Sequence, residues 1–471
     1  MSRILPVLTV FGALAASAFA ASGTRPPNII IFLSDDMAWG QLGYQGGKEI
    51  PTPNIDRIAR EGVQLTQFYV QSVCSPTRAA LLTGRYPFRN GMEERSHGND
   101  TAGMLPDERT LAQALKQAGY TTGIFGKWHL GVWRKHHLPM QRGFDHQYGY
   151  YGALMDSFTR VRGSTYDWHR NEQLLHQPGY ASFLIADEFA DVLKRRARDK
   201  PFFYYVPFNA VHGPHGAPKE YLDQHKGNAQ HAMLECMDVA VGRMLGAMEK
   251  ERVLDDTLVI FCNDNGGPRR YNNDPYRGFK GDTYEGGVRV ACTMRWPGKI
   301  KAGSKVDEML HVVDLYPTIV QLAGGSLQQP LPLDGRDAWP TITQGKPTPH
   351  SEIVISVPGF ENSETGVPAI RIGDFKLVGD ELYNIREDRS EKNNLAAKHP
   401  DKVRALKARL DQLAKERRPP EPHDRISEGK LWFYGEEENK QPAPDWVKKI
   451  VADSNEDPNS QTAKKAAKKK R

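Results

Sequence analysis

Asn28-Ile29-Ile30-Ile31-Phe32-Leu33-Ser34-Asp35-Asp36 is an apolar run that breaks into two carboxylates. Pro26 and Pro27 precede it. A continuous run of this length, with no polar alternation, is the pattern of a strand covered on both faces, as in a parallel sheet. Asp35 and Asp36 then sit at its carboxyl end, where open α/β sheets build their sites. An isolated Asp-Asp pair more often caps the next helix. The pair gains meaning only from what other strand ends deliver.

Other segments have the same form. Residues 201–208 are rich in aromatics and end at Asn209-Ala210-Val211-His212-Gly213-Pro214-His215. Residues 257–262 end at Asn263-Asp264-Asn265-Gly266-Gly267, a turn signal packed with oxygen ligands. Residues 121–125 lead into Gly126-Lys127-Trp128-His129-Leu130-Gly131, where extended backbone would place Lys127 and His129 on the same side. Helical periodicity fills the intervals at 53–62, 108–118, 183–198 and 231–250. The alternation predicts an α/β fold with a large, mostly parallel sheet flanked by helices.

After about Gln344 the pattern changes. Short strands are expected at 352–357, 369–372 and 375–378, and a helix at 400–416, with Val403, Leu406, Leu410 and Leu413 on its apolar side. This reads as a small C-terminal antiparallel sheet plus helix over 346–420. Residues 421–471 read as an extended, charged, partly disordered tail.

Lys and Arg exceed Asp and Glu by 63 to 57. Six of those positive charges fall in Lys464–Arg471, so the body is close to neutral and charge makes no case for nucleic acid. Arg3, the short apolar segment 4–15 and Ala18-Phe19-Ala20 read as a signal peptide over 1–20, leaving a main domain at 21–345. The expectation is an exported chain, periplasmic or secreted, with no integral membrane segment. Four cysteines, Cys74, Cys236, Cys262 and Cys292, are too few for a disulfide scaffold.

Cys74-Ser75-Pro76-Thr77-Arg78-Ala79-Ala80-Leu81-Leu82-Thr83-Gly84-Arg85 holds the first of them. Pro76 suits a helix start, Ala79 to Leu82 favour helix, and Gly84 is a stop. Cys74 would lie just before the helix N-terminus, which favours an anion, with Arg78 adding positive charge one turn in. Asp35, Asp36, Asp264 and Asn265 are hard oxygen ligands suited to Ca²⁺ or Mg²⁺. Three clustered carboxylates need a metal or basic partners. Lys127, His129, His212 and Lys280 are candidates for proton transfer and charge stabilisation. Spacing alone does not show that these residues converge.

The 74–85 stretch resembles the sulfatase signature, Cys-x-Pro-Ser/Thr-Arg with a Leu-x-x-Gly-Arg ending. Gly126 to Gly131, Asp264-Asn265-Gly266-Gly267, and Lys280 with Glu285-Gly286-Gly287-Val288-Arg289 resemble further sulfatase motifs, in the family order. The wording looks nearest to the arylsulfatase B type, carried by Leu138-Pro139, Arg142-Gly143-Phe144-Asp145 and Arg277-Gly278-Phe279-Lys280. The resemblance implies an alkaline-phosphatase-like sulfatase fold. It also implies that a formylglycine-generating or sulfatase-maturating enzyme oxidises Cys74 to formylglycine (3-oxoalanine), whose hydrate is the nucleophile. In that scheme Asp35, Asp36, Asp264 and Asn265 hold Ca²⁺, rather than Mg²⁺, which also touches the residue at 74. Arg78 and Lys127 stabilise the diol and sulfate charge. His212, assisted by Lys280, protonates the leaving oxygen, and His129 takes the proton that releases sulfate. The implied substrate is a sulfated carbohydrate, a galactosaminoglycan or algal galactan.

Thr77 stands where many members carry serine. Arg269, Arg270, Trp168 and His169 read equally as a sugar subsite or a solvated loop, and His215 as a surface residue rather than a substrate contact. Two alternatives stay open: a phosphonate or phosphate monoester hydrolase of the same superfamily, and a non-catalytic sulfated-glycan binder with Cys74 unmodified.

Overall fold

The computed structural model describes residues 25–93, 102–162, 165–359 and 366–421. The signal-peptide reading of 1–20 and all but Glu421 of the tail reading lie outside the described residues. Asn28–Ser34 is a strand near the middle of a ten-stranded sheet. Thr257–Asn263 and Phe202–Pro207 flank it, both parallel. Thr121–Lys127 and then His146–Tyr150 continue the parallel order beyond Phe202–Pro207. Antiparallel pairing appears toward the margins, through Cys292–Arg295 and Val63–Leu65 on one side and His169–Arg170 and Gln173–Leu174 on the other.

The central strand is covered on both faces, which is why it needs no polar alternation. Ile29, Ile31 and Leu33 enter a core with Leu81, Leu111, Leu115 and Ile319. Ile30 and Phe32 enter a second core with Ile55, Ile185, Phe189 and Met237. Helices Cys74–Thr83, Leu111–Gln117 and Leu315–Leu322 supply the first layer. Pro53–Arg60, Ala181–Arg195 and Ala229–Lys250 supply the second. Each of the five strand side chains is fully buried, worth about 1.5–3 kcal/mol apiece. The helix expected at 108–118 starts later, at Leu111, because Thr110 caps it: Thr110 Oγ1 accepts from Gln113 N–H at 3.1 Å, and Gln113 Oε1 accepts from Thr110 N–H at 2.8 Å.

The register sets strand ends level. Ser34 pairs with Asn263 and Leu33 with Pro207, so residues following all three strands emerge on one side of the sheet. The three ends are also joined: Asp35 N–H donates to Ala210 O at 2.8 Å, Val211 N–H to Asp35 O at 2.7 Å, and Asp264 N–H to Ser34 O at 3.1 Å.

The C-terminal sheet has four antiparallel strands, Glu352–Ser356, Ala369–Ile372, Phe375–Val378 and Glu381–Asn384. The fourth strand is absent from the sequence expectation. It returns through a two-residue turn in which Gly379 takes φ +56°, pairing Val378 with Glu381. The expected helix is present as Pro400–Ala414 with Leu406, Leu410 and Leu413 buried. No described helix is long and apolar enough to cross a membrane.

Candidate active site

Cys74 is the first residue of the Cys74–Thr83 helix rather than the residue before it, and Val73 is the extended N-cap. All ten residues of this helix are buried, a pattern possible only for a helix packed on every side. Gly84 ends it in the left-handed conformation at φ +67°, as its sequence position suggests. Thr77 belongs to this packing: its Oγ1 accepts from Gln71 N–H at 2.9 Å, locking the approach to the helix.

Three carboxylates and three cations interlock around Cys74. Arg78 Nη2 lies 2.8 Å from Asp264 Oδ2 and 3.4 Å from Asp35 Oδ2, with all three side chains fully buried. Arg78 Nη1 donates to Lys127 O at 3.2 Å. Lys127 Nζ lies 2.5 Å from Asp35 Oδ2. Lys280 Nζ lies 2.5 Å from Asp36 Oδ1 and 3.9 Å from Cys74 Sγ. Asn265 Nδ2 donates to the same Asp36 oxygen at 2.8 Å. His212 Nε2 is 3.6 Å from Asp36 Oδ2, and its Nδ1 is 2.6 Å from Gly213 O, so the backbone fixes the ring. Asp36 reaches its place through a left-handed backbone, φ +64°, a conformation that costs a non-glycine residue about 1–3 kcal/mol and gathers at functional sites.

The donor set fits a hard divalent cation. Asp35 Oδ1 and Asn265 Oδ1 are buried and accept no hydrogen bond, which is costly unless something else meets them. One ligand atom each from Asp35, Cys74 and Asp264 lies within 4.8 Å of the others, and the same holds for Asp35, Asp36 and His212. Burial, then repulsion from Asp35, pushes the Asp264 carboxyl above its usual range against the pull of Arg78 and Lys127. Asp36 behaves oppositely: burial alone would raise it, but Lys280 and His212 hold it well down. Burial raises the Cys74 thiol against the opposing pull of Lys127 and Lys280. Burial lowers the His212 imidazole, in spite of Asp36 and Asp35. A positive ion among the oxygens would relieve the repulsion that raises Asp264.

Among the residues anticipated from sequence, Asp35, Asp36, Cys74, Arg78, Lys127, His212, Asp264, Asn265 and Lys280 are brought into this one network. His129 is placed differently from expectation. The strand ends at Lys127 and His129 turns left-handed at φ +59°, so the two side chains are not related by strand alternation. His129 is buried, and its N–H donates to Tyr151 O at 3.0 Å. Trp168 and His169 are neither solvated nor open to a ligand: both are buried, Trp168 edge-on to Tyr148 and His169 stacked on Tyr151. His215 is half-buried, with Nε2 3.0 Å from Val211 O and 3.2 Å from the Tyr271 hydroxyl.

Two residues escaped the sequence reading. Asn263, taken as part of a turn, pins the Asp35–Asp36 loop: its Oδ1 accepts from Ser34 Oγ at 2.8 Å and Met37 N–H at 3.2 Å, and its Nδ2 donates to Met37 O at 2.7 Å. Tyr150 lies beside Lys127 in register, with a buried hydroxyl that has no hydrogen-bond partner. Its only signal is that pairing, which no local pattern reveals.

Comparison with known proteins agrees with this geometry. The sulfatase family model matches residues 27–326, and a model for the C-terminal region of N-sulphoglucosamine sulphohydrolase matches 279–416. Mouse arylsulfatase J is 30% identical over 89% of this chain and 82% of its own length. Human N-acetylgalactosamine-6-sulfatase is 36% identical over 69% of this chain and 68% of its own. The solved structure of Ps i-CgsB in complex with k-i-k-neocarrahexaose superposes with a TM-score of 0.78 at 28% identity, covering 84% of this chain and 94% of that one. Rat steryl-sulfatase is 34% identical over 67% of this chain and 70% of its own length, so these relatives do not single out the arylsulfatase B type. With the family model spanning the whole sheet and the buried network closing around Cys74, the chain belongs to the sulfatase family and is a sulfuric ester hydrolase.

Proposed function

We propose that the substrate is a sulfate ester on a carbohydrate, that Cys74 is converted to formylglycine, and that Asp35, Asp36, Asp264 and Asn265 hold a calcium ion. The observation that carries this is the pairing of orphaned buried oxygens, Asp35 Oδ1 and Asn265 Oδ1, with a fully buried cysteine at a helix N-terminus. A buried, raised thiol is a poor nucleophile, so the side chain at 74 makes chemical sense only after conversion. The aldehyde hydrate supplies an oxygen nucleophile and a second hydroxyl through which sulfate is expelled, and calcium supplies positive charge for the sulfate oxygens.

The chain's own residues then have defined tasks. Arg78, locked on Asp264 and Lys127 O, holds fixed positive charge behind residue 74. Lys127 pairs with Asp35 at 2.5 Å, and Lys280, 3.9 Å from Cys74 Sγ, is placed to meet charge on the transferring group. His212, with Nδ1–H donating to Gly213 O, presents Nε2 toward the site; as the imidazolium, which Asp36 and Asp35 favour, it would hand its Nε2 proton to the departing sugar oxygen. His129, buried two residues beyond Lys127, is the proposed acceptor of the hydrate's second proton. Maturation by a formylglycine-generating enzyme and export to the periplasm or exterior complete the proposal.

The carbohydrate reading draws on relatives: Ps i-CgsB binds a neocarrahexaose, and N-acetylgalactosamine-6-sulfatases are named for a sugar sulfate. Sulfate release should be measured from sulfated galactans, galactosaminoglycans and sterol sulfate beside a phosphonate monoester. Release from the sugars is expected. Turnover of the sterol sulfate or phosphonate alone would overturn the substrate reading.

A further inference from the structure

Beside the catalytic loops lies a cavity of about 630 Å³ that the proposed mechanism does not use. That volume is within the range of small-molecule and sugar sites. Its walls are the loops that follow two metal-ligand segments. Trp39 stands three residues beyond Asp36, and its N–H donates to Asn273 Oδ1 at 3.2 Å, the atom that also accepts from Gly267 N–H at 3.0 Å. Tyr271 and Arg270 come from the loop between Asn265 and Lys280 and lean on the His212 loop. The Tyr271 hydroxyl is 3.2 Å from His215 Nε2, and Arg270 Nη2 is 3.4 Å from His215 Nδ1. The cleft is thus joined along the chain to the loop that presents Asp36, and by side-chain contacts on His215 to the loop that presents His212.

Its chemistry is that of a hydroxyl-rich ring. Trp39 and Tyr271 offer two aromatic surfaces, each only partly buried. Trp39 is held edge-on against Tyr276 at 4.7 Å and Tyr271 lies under the Arg270 guanidinium at 5.0 Å, so both rings are stiffened in advance. Amide groups of Gln45, Asn228 and Asn272 line the same space, and Gln45 Oε1 is buried there without a hydrogen-bond partner. Charge is balanced: Lys48 is offset by Glu49 and Arg270 by Asp274. A neutral cleft with aromatic platforms and amides fits the uncharged face of a pyranose and gives no advantage to a second sulfate.

We infer that this cleft is a sugar subsite for the unit adjoining the sulfated one, so that the enzyme prefers an oligosaccharide to a sulfated monosaccharide. The inference rests on the carbohydrate reading above. The matured enzyme should be assayed on N-acetylgalactosamine sulfate and galactose sulfate, on chondroitin sulfate and carrageenan tetrasaccharides, and on 4-nitrophenyl sulfate. For the accepted sugar, the tetrasaccharide should exceed the monosaccharide in kcat/KM by tenfold or more. Tyr271→Ala should raise KM for the tetrasaccharide about tenfold at similar kcat and leave aryl sulfate turnover within twofold, while Tyr271→Phe keeps wild-type behaviour because the ring, not the hydroxyl, carries the contact. Equal kcat/KM for monosaccharide and tetrasaccharide, or an equal loss on all substrates in Tyr271→Ala, overturns the subsite alone. Turnover of the aryl sulfate with no release from any sugar overturns the carbohydrate reading and the subsite with it.

Discussion

Arg78 and Asp264 form a pair in which neither side chain reaches water, and that burial decides what substitution does. Two Arg78 nitrogens reach one Asp264 oxygen, at 2.8 and 3.2 Å, and a third reaches Lys127 O. Lysine has one nitrogen and cannot span these acceptors. Arg78→Ala leaves Asp264 buried and uncompensated, an expected loss of about 3–5 kcal/mol in urea unfolding. Arg78→Lys should retain more stability and lose about 10²–10³ in kcat, since charge remains but its aim does not. Chelation should lower the thermal midpoint, and calcium at a hundred times its Kd should restore it by adding about 2.7 kcal/mol of stability. An unchanged midpoint on chelation would count against the assigned ligands. Away from this pair, buried His311 contributes to acid sensitivity. Burial, with His350 nearby, depresses the His311 imidazole to about 3. The unfolded ring binds a proton near 6.5 and the folded one does not, so stability is whole above 6.5 and falls on acidification toward 3, by at most about 1.4 kcal/mol per pH unit. Unfolding midpoints taken from pH 7 to 4 should show this slope added to those of His137 and His215, which burial depresses to about 4, and His311→Gln should remove only its own share.

The Asn263–Gly267 segment shows how a strand end was readable and where reading stopped. Asp264 and Asn265 as oxygen ligands follow from their chemistry and from an unbroken apolar strand before them. Gly266-Gly267 reads as a turn signal, yet the reason for glycine is close approach: a Cβ on Gly266 would sit 1.8 Å from Gly286 O, and Gly266 N–H already donates to Gly287 O at 2.9 Å. Gly266→Ala must push these two backbones apart, and a cost of about 1–3 kcal/mol or more is expected, measurable as a drop in thermal midpoint with weakened calcium binding. The partner glycines are twenty residues away in sequence, so no local pattern could have revealed the contact. The same limit explains His129. Alternation presumes a straight strand, and the left-handed turn at φ +59° comes from packing against the His146–Tyr150 side of the sheet, through Tyr151 O. Four of the central strands, Asn28–Ser34, Thr121–Lys127, Phe202–Pro207 and Thr257–Asn263, and the two large flanking helices were legible because burial on both faces, or on one helical face, writes itself into hydrophobic period, whereas His146–Tyr150 was not anticipated. Glu381–Asn384 was not: the equally short Ala369–Ile372 and Phe375–Val378 each bury three residues, whereas only Leu382 and Tyr383 are buried here, between a charged and an amide end.

Across the molecule, the C-terminal sheet is fastened to the main one by buried charge as well as by shared core. Ile370, Leu377, Leu382 and the Pro400–Ala414 leucines belong to the same cluster as Ile29 and Leu33. Lys376 Nζ lies 2.8 Å from Glu285 Oε1 and 2.9 Å from Glu391 Oε1, all buried. Lys376 holds Glu285 low against its burial, while burial pushes Glu391 up. Glu285 follows shortly after Lys280, so the C-terminal unit supports a loop that enters the active site. A chain ending at 345 should therefore fail to fold into active enzyme. Lys376→Met should cost about 3–5 kcal/mol, because it leaves buried Glu391 without its cation and Glu285 with Arg289 alone at 3.2 Å, and reduce activity without touching substrate. A stable proteolytic fragment ending near 345 would contradict that dependence. The most direct measurement concerns residue 74. The chain should be produced with and without a formylglycine-generating enzyme, the Cys74 peptide weighed by mass spectrometry, and sulfate release recorded from the same samples. Aldehyde at position 74 with sulfate release proportional to its fraction, and none from a folded Cys74→Ala variant, is the predicted result. Sulfate release from a chain whose Cys74 remains a thiol, or a fully converted chain that releases none, would contradict it.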